Sequence, residues 1–226
     1  MPGSDNSPFK HELEQLAREL HLPGGQLNRQ WLDSEMLALW ILNVDDTLEL
    51  DTAAIGRFWQ KLPFWAFAWA GGRALAQHIS NDSSMVTGKR VLDFGCGSGI
   101  AGIAAALAGA SEVWVADLDP NALKIAQINA ALNGVEVFEV EGDDWPEVDV
   151  LLAADVLYDI SSSDDLKILT KKIPEWLLAE SKTVAPDFIE LRCLDSINTS
   201  TMPAIGDFDE SVHVDIYCRG RRSSLN

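Results

Sequence analysis

A glycine-rich loop between a predicted strand and a predicted helix constrains the fold more than any other feature of this chain. The apolar residues over 90–94 predict a buried strand, and the loop Gly95-Cys96-Gly97-Ser98-Gly99 leads into a helix predicted over 99–107. Glycines are required where the backbone takes a positive φ or passes close to a ligand. The loop therefore predicts a strand, a tight turn and a helix that together bind a ligand.

Strands and helices alternate over the following residues, which favours parallel βαβ units and an α/β fold. Alternating apolar residues over 212–218 predict a half-exposed antiparallel strand that closes the sheet. The other predicted strands cover 112–117, 135–140, 148–154 and 182–185, and the other predicted helices cover 73–79, 120–132 and 164–180.

Residues 1–60 are predicted to form a partly helical N-terminal extension. A helix is expected over 7–20, because apolar residues recur on one helical face until a Pro-Gly-Gly sequence stops it. The segment 31–50 is ambiguous between helix and strand. We expect the main domain to cover 61–219 and a flexible tail to follow over 220–226.

The charge and the cysteines restrict the partners that we expect. A formal net charge of -18, from 35 acidic and 17 basic residues, would repel a nucleic-acid backbone, so nucleic acid is not an expected partner. The three cysteines have no metal-ligand spacing and the four histidines are scattered, so neither a metal site nor a disulfide framework is predicted. No apolar run is long enough to span a membrane, and we expect a cytoplasmic protein.

The glycine loop is compatible with two kinds of ligand. Gly97, Gly99 and Gly102 form a G-x-G-x-x-G sequence, and Asp117 follows about 20 residues later, as in dinucleotide sites. Asp93, however, lies at the tip of the first strand, where its carboxylate would repel a pyrophosphate. A carboxylate there favours a ligand with a cationic amino group, such as the methionine end of S-adenosylmethionine (SAM). A turn that binds nothing is the remaining alternative.

Three segments of the chain carry a resemblance to a known family. They are the aromatic segment 63–72, the segment 88–99 with the glycine loop, and the segment 154–159 with an Asp-x-x-Tyr sequence. In this order and spacing they resemble class I SAM-dependent methyltransferases. The narrower resemblance is to the family-16-like protein lysine methyltransferases, closest to the group that methylates the electron transfer flavoprotein β subunit. Residues 185–187, Ala-Pro-Asp, depart from the Gly-Asp-Pro that is common in the family.

The resemblance implies a fold and a set of donor-binding residues. The fold is a Rossmann-like, doubly wound and mostly parallel seven-strand sheet with an antiparallel strand near the C-terminus. Asp93, Gly95 and Gly97 would line the methionine side of the donor, and Asp117 would hold its ribose. Asp144 and Trp145 would contact the adenine of the donor, and Trp69 would pack near the donor from the other side. Alternatively, the two tryptophans could be core aromatics and Asp144 could be a surface turn residue.

Asp155 and Tyr158 are the candidate catalytic residues. Asp155 ends a strand that is apolar on both faces, at the sheet edge where ligands bind in α/β folds. We expect Asp155 to orient an incoming lysine and Tyr158 to shape the acceptor channel; alternatively, Asp155 caps a turn and Tyr158 packs in the core. Replacing Asp155 by Ala should abolish methylation and leave SAM binding nearly intact.

We therefore expect a SAM-dependent N-methyltransferase that acts on a lysine of a protein substrate. The resemblance implies that this substrate is similar to the electron transfer flavoprotein β subunit. Three alternatives stay open at this point. The acceptor could be a small nicotinamide-like molecule or a ribosomal protein, or the chain could bind SAM without catalysis. The sequence does not predict the oligomeric state.

Overall fold

The computed structural model describes residues 8–32, 37–43, 52–142, 144–157, 166–169, 171–182 and 191–220. The helices are α1 (Lys10–Glu19), α2 (Thr52–Gln60), α3 (Ala70–Asn81), α4 (Ile100–Leu107) and α5 (Pro120–Leu132). The strands are β1 (Gln26–Leu32), β2 (Leu37–Asn43), β3 (Arg90–Phe94), β4 (Glu112–Ala116), β5 (Phe138–Glu139), β6 (Val150–Ala154), β7 (Glu175–Ser181), β8 (Arg192–Thr199) and β9 (Val212–Arg219).

Seven strands of the described residues form one twisted sheet in the order β5-β4-β3-β6-β7-β9-β8. The strands from β5 to β7 are parallel, and β9 is antiparallel to both of its neighbours. From β3 the chain passes to β4 and β5 on one side, and it then crosses to β6 on the other. This reversal is the switch point where doubly wound sheets bind ligands. The predicted fold class is confirmed.

Both faces of the central strands are covered, which explains their continuous apolar sequence. Side chains alternate between the faces of a strand. On β6, Val150 and Leu152 accordingly join one core with α3, α4 and α5, whereas Leu151 and Ala153 join a second core. The second core includes Leu166, Leu169 and Ile173 from the connection between β6 and β7, and all four β6 side chains are fully buried.

The predicted element boundaries are wrong in the second half of the sheet. The helix predicted over 164–180 is helical only at 166–169 and 171–172 among the described residues, because β7 already begins at Glu175. The fifth strand therefore precedes the predicted 182–185, and most of that range lies outside the described residues. The strand predicted over 135–140 is reduced to Phe138–Glu139, and β8 was not predicted.

The described part of the ambiguous segment, 31–32 and 37–43, belongs to a β-hairpin. β1 and β2 pair antiparallel, from Gln26 opposite Asn43 to Leu32 opposite Leu37. Asn129 of α5 and Asn133, which directly follows α5, take the place of a further strand along β2. Trp40 N–H donates to Asn129 Oδ1 at 2.7 Å, and Ala38 N–H donates to Asn133 Oδ1 at 2.9 Å. The hairpin is thus attached to the main sheet's helical layer. No helix of the described residues has the length and apolarity required to cross a bilayer.

Candidate active site

A cavity of about 550 Å³ opens at the carboxyl edge of the parallel strands, where the strand order reverses. Its volume is within the range of small-molecule sites. The loops that follow β3, β4, β5 and β6 form three sides, and the aromatic segment before α3 forms the fourth. The lining residues are Phe64, Trp65, Trp69, Phe94, Gly95, Gly97, Ala116, Asp117, Leu118, Asp119, Ala122, Val140, Gly142, Trp145, Ala154, Asp155 and Val156.

The glycine loop needs its glycines for two physical reasons. Gly95, Gly97 and Gly99 have φ values of 70°, 50° and 81°, in the left-handed region that residues with a Cβ rarely adopt. A Cβ on Gly95 would also lie 2.6 Å from Val156 Cγ1. The backbone of Gly95 and Gly97 lines the cavity directly. The loop therefore exposes main-chain atoms, rather than side chains, to a ligand.

Asp93 does not line the cavity, and its expected place on the methionine side of the donor stays a prediction. Its side chain is 2% exposed, and Gly102 N–H in the first turn of α4 donates to its Oδ2 at 2.8 Å. Burial raises the pKa of Asp93 to about 7, and the nearby charge of Asp117 adds to that increase. The Asp93 carboxylate thus accepts the hydrogen bond of a helix N-terminal amide, and amides in this position donate to phosphate in dinucleotide sites.

Asp117 follows β4 and connects two walls of the cavity. Gly97 N–H donates to its Oδ2 at 2.9 Å, and Asp119 N–H donates to its Oδ1 at 3.0 Å. Burial raises the pKa of Asp117 above its ordinary value, although these hydrogen bonds lower it. Each carboxylate oxygen can accept a second hydrogen bond, so Asp117 can receive ligand hydroxyl groups.

The charges of the lining have one sign among the described residues. Asp117, Asp119 and Asp155 line the cavity, and no Lys, Arg or His of the described chain does so. A pyrophosphate would meet carboxylates without a compensating cation. A ligand with cationic groups is complementary to this lining.

Asp155 takes a strained backbone conformation directly after β6. Its φ is 53°, and it is one of two non-glycine residues of the described chain with a positive φ. Gly71 N–H and Gly72 N–H, in the first turn of α3, donate to Asp155 Oδ2 at 2.7 and 3.3 Å. Burial raises the pKa of Asp155 to about 6, against the effect of these two hydrogen bonds. Asp155 therefore lines the cavity and caps α3 at the same time.

The aromatic wall is held by contacts within the segment 63–72. Trp69 Nε1–H donates to the carbonyl oxygen of Phe64 at 2.8 Å, and the Trp69 ring lies 5.1 Å from the Phe67 ring. Across the cavity, Trp145 packs against Phe94 at 6.0 Å between ring centroids. Both tryptophans line the cavity, in addition to their packing contacts.

Six of the nine residues predicted for the site line the same cavity: Trp69, Gly95, Gly97, Asp117, Trp145 and Asp155. Asp93 lies behind the loop. Asp144 is exposed and outside the lining, and its N–H donates to the carbonyl oxygen of Glu141 at 3.2 Å, as in a surface turn. Tyr158 lies outside the described residues.

The structure adds apolar lining residues that the sequence analysis missed. Leu118 is 74% exposed and lies between the two acidic residues after β4. Its position directly after a strand-end acid is a signal that could have identified it. Val140 and Ala122 carry no such signal, because they are ordinary apolar residues of a predicted strand and helix until the fold brings them to the cavity.

The chain is similar to known methyltransferases over the part that contains the glycine loop. The family model of ribosomal protein L11 methyltransferase (PrmA) matches residues 78–174. An electron transfer flavoprotein beta subunit lysine methyltransferase from Danio rerio is 38% identical over 112 residues, which cover 46% of this chain and 42% of that protein. The Homo sapiens protein of the same name is 36% identical over 118 residues, covering 49% of this chain and 44% of that protein.

A ribosomal protein L11 methyltransferase from Dichelobacter nodosus is 35% identical over 140 residues, which cover 58% of this chain and 47% of that protein. The matches thus span less than half the length of these relatives. Among solved structures, a Pyrococcus horikoshii protein described as an RNA methyltransferase superposes with a TM-score of 0.51 at 19% identity, covering 66% of this chain and 82% of that chain. That similarity shows the fold alone.

Proposed function

We propose that this chain transfers a methyl group from SAM to a lysine side chain of a protein. The match of residues 78–174 to the family model of ribosomal protein L11 methyltransferase supports the transfer of a methyl group. The observation that carries the proposal is the position of Asp155, whose carboxylate lines the same cavity as the glycine loop. The names of the relatives support a protein acceptor.

The residues of the cavity fit the donor. Main-chain atoms of Gly95 and Gly97 would approach its methionine part, and Asp117 would accept hydrogen bonds from its ribose hydroxyls. Leu118, Val140 and Trp145 offer apolar surface for the adenine ring. When bound, SAM supplies a methyl group on a sulfonium: in-line attack of an amine lone pair would form the N–C bond as the S–C bond breaks, and the donor would leave as a neutral thioether. Such a reaction requires alignment in a partly dry site rather than covalent catalysis.

Asp155 would act on the acceptor. A free lysine amine has a pKa of about 10.4, so it arrives as an ammonium, which the half-buried Asp155 carboxylate attracts. With a pKa of about 6, Asp155 is largely ionised at neutral pH. Its carboxylate would hold the amine in the cavity, and the ammonium must first release a proton to solvent so that its lone pair can react. The cap on α3 fixes the direction of the carboxylate.

Two acceptor proteins follow from the relatives. The first candidate is an electron transfer flavoprotein β subunit, because several relatives carry that activity in their names. Ribosomal protein L11 is the second candidate, since its methyltransferase provides both the matching family model and a match over 140 residues. With either acceptor, we propose that the amine lies at Asp155.

The test uses labelled SAM with each purified candidate acceptor and, in parallel, with a cell lysate. We expect label in protein, in an acid-stable form that amino acid analysis identifies as methyl-lysine. Label that is found only among small molecules would rule out a protein acceptor.

Two variants separate the charge of Asp155 from its role as a cap. Asp155→Asn retains an oxygen that can accept from the α3 amides, whereas Asp155→Ala does not. Both variants should lose at least about 100-fold in methyl transfer, the cost of losing alignment of the acceptor, while the Kd for SAM stays nearly the same. Asp207→Asn is the control, because Asp207 is exposed. An Asp155→Asn variant with full activity would show that the charge has no part in the reaction.

A further inference from the structure

Glu180 is a buried acidic residue for which the proposed function has no role. It lies near the end of β7, its side chain is 3% exposed, and it does not line the cavity. Its Oε1 accepts hydrogen bonds from Val156 N–H at 3.0 Å and from Leu157 N–H at 3.2 Å. Burying a carboxyl group is costly unless it is hydrogen-bonded, so these two bonds indicate a defined task.

The two bonds belong to the turn that carries Asp155. The parallel ladder between β6 and β7 ends with Ala154 opposite Ala179, and Asp155 N–H still donates to the Ala179 carbonyl oxygen at 3.0 Å. At Asp155 the backbone turns into the left-handed region and leaves the strand direction. The next two amides cannot continue the ladder, and the Glu180 carboxyl group accepts both of them instead.

We propose that Glu180 is a positioning residue for methyl transfer: it holds the turn Asp155-Val156-Leu157 on β7, so that the Asp155 carboxylate faces the cavity. This inference rests on the proposed function. The turn is fixed at three points, namely Glu180, the Ala179 carbonyl oxygen, and the first-turn amides of α3 that donate to Asp155 Oδ2.

The same turn also contacts the donor side of the cavity. Val156 lines the cavity, and its Cγ1 fills the space that a Cβ on Gly95 would need. A shift of the turn would therefore change the acceptor side through Asp155 and would open a gap beside the glycine loop. We expect the acceptor side to be more sensitive, because the glycine loop is also held by Asp117 through Gly97 N–H.

The protonation of Glu180 suits this position. Burial raises its pKa to about 8, and the adjacent charge of Asp155 adds to the increase. At neutral pH Glu180 is therefore largely uncharged, and its carbonyl-type oxygen still accepts both amides. The negative charge of the pair then lies on Asp155, which faces the cavity. On β9, Asp215 lies opposite Glu180 in the ladder, and Tyr217 packs against the second core.

The experiment compares Glu180→Gln with Glu180→Leu in the full chain. Gln retains the acceptor oxygen, so kcat should stay within about threefold of the wild type. Leu leaves two amides without an acceptor, so kcat should fall at least tenfold, with the Kd for SAM within about threefold. A displacement of about 1 Å near a reacting group can cost about 100-fold in rate.

Two further variants keep the test decisive. Leu177→Ala, also in β7 and fully buried, lies in the core that contains no side chain of the turn, so it should be destabilised and should retain its kcat per folded molecule. If Glu180→Leu does not fold, Glu180→Asp replaces it, because the shorter side chain cannot reach both amides and should lower kcat while Gln does not.

The outcomes separate the two proposals. An active wild type with equal kcat for Gln, Leu and Asp at position 180 would overturn the role of Glu180 and leave the proposed function intact. A wild type that binds SAM but labels no lysine in any protein would overturn the proposed function itself. A loss of kcat in Leu177→Ala as large as in Glu180→Leu would also overturn the positioning role, because general destabilisation would then explain both.

Discussion

Gly71→Ala should disable the acceptor side of the cavity without affecting the donor side. A Cβ at position 71 would lie 2.5 Å from Asp155 Oδ2 and 2.6 Å from Asp155 Cγ. Ordinary contacts begin near 3.4 Å, so one of the two groups must move by about 0.9 Å. The helix cannot retreat easily, because a Cβ on the next residue, Gly72, would already lie 2.7 Å from Ile100 Cγ2, which shows how closely α3 packs there.

The displaced group is therefore the Asp155 carboxylate, which would also lose its bond from the amide of residue 71. A misplacement of about 1 Å near the reacting atoms costs about 100-fold in rate. We expect kcat/KM for the acceptor protein to fall by that factor, measured with labelled SAM. The Kd for SAM, measured by calorimetry, should change by less than threefold, since Gly71 does not line the cavity.

Gly56→Ala is the matched control. Gly56 also lies in a helix, and a Cβ there would meet no atom within 4 Å. Alanine is favoured over glycine inside a helix by about 0.5–1 kcal/mol, so this variant should unfold at slightly higher urea concentration with unchanged activity. A Gly71→Ala enzyme with wild-type kcat/KM would refute the reasoning, because the tight contact with Asp155 would then have no part in methyl transfer.

Four further results are expected. Gly95→Ala should weaken SAM binding at least tenfold in calorimetry, because the φ of Gly95 is 70° and the new Cβ would meet Val156. Unchanged affinity would contradict the binding of SAM by the glycine loop. Above pH 6, where only the lysine titrates, the slope of log kcat/KM against pH should be about 1. Below pH 6, where Asp155 also takes up a proton, the slope should be about 2, and a slope of 1 over the whole range would contradict the role of Asp155. The folded chain keeps a proton on Glu180 that the unfolded chain releases, so the stability of the wild type should fall as pH rises towards 8. Relative to Glu180→Gln, the free energy of unfolding in urea should decrease by about 1.4 kcal/mol per pH unit between pH 5.5 and 7.5. Parallel curves for the two proteins would contradict the raised pKa of Glu180. Asn129→Leu should lower the free energy of unfolding by about 2–4 kcal/mol, because the β2 amide and the Ser98 carbonyl that it bonds are left without a partner.

The glycine loop and the strands around it could be predicted because local rules determine them. A strand, three glycines with positive φ and a helix of small residues are all encoded within about 20 residues. The direction of Asp93 was not predicted, although the alternation of β3 contains the information. Side chains alternate along a strand, so Asp93 shares the face of Val91, which α4 covers, and Phe94 takes the face that opens to the cavity.

Other parts of the fold depend on partners far away in the sequence. The apolar run Trp176-Leu177-Leu178-Ala179 fits a buried strand and a buried helix equally well, and only pairing with β6 and β9 makes it β7. β2 is completed by asparagines 89 and 95 residues further along. The cap that Asp155 places on α3 joins groups that are 83 and 84 residues apart, so no local pattern could indicate it.

Three carboxyl groups around the cavity, those of the half-buried Asp155 and of the buried Asp93 and Glu180, differ in a way that suits a cationic acceptor. Burial raises the pKa of Asp155 to about 6, of Asp93 to about 7 and of Glu180 to about 8. Near pH 7 the group that lines the cavity is therefore mostly ionised, while Glu180 behind it is mostly protonated and Asp93 is partly so. Protonation of Glu180 and Asp93, which do not line the cavity, reduces the repulsion between the carboxyl groups, and the negative charge stays on Asp155. A lysine ammonium entering the cavity would meet that charge first, and its presence would in turn favour the ionised form of Asp155.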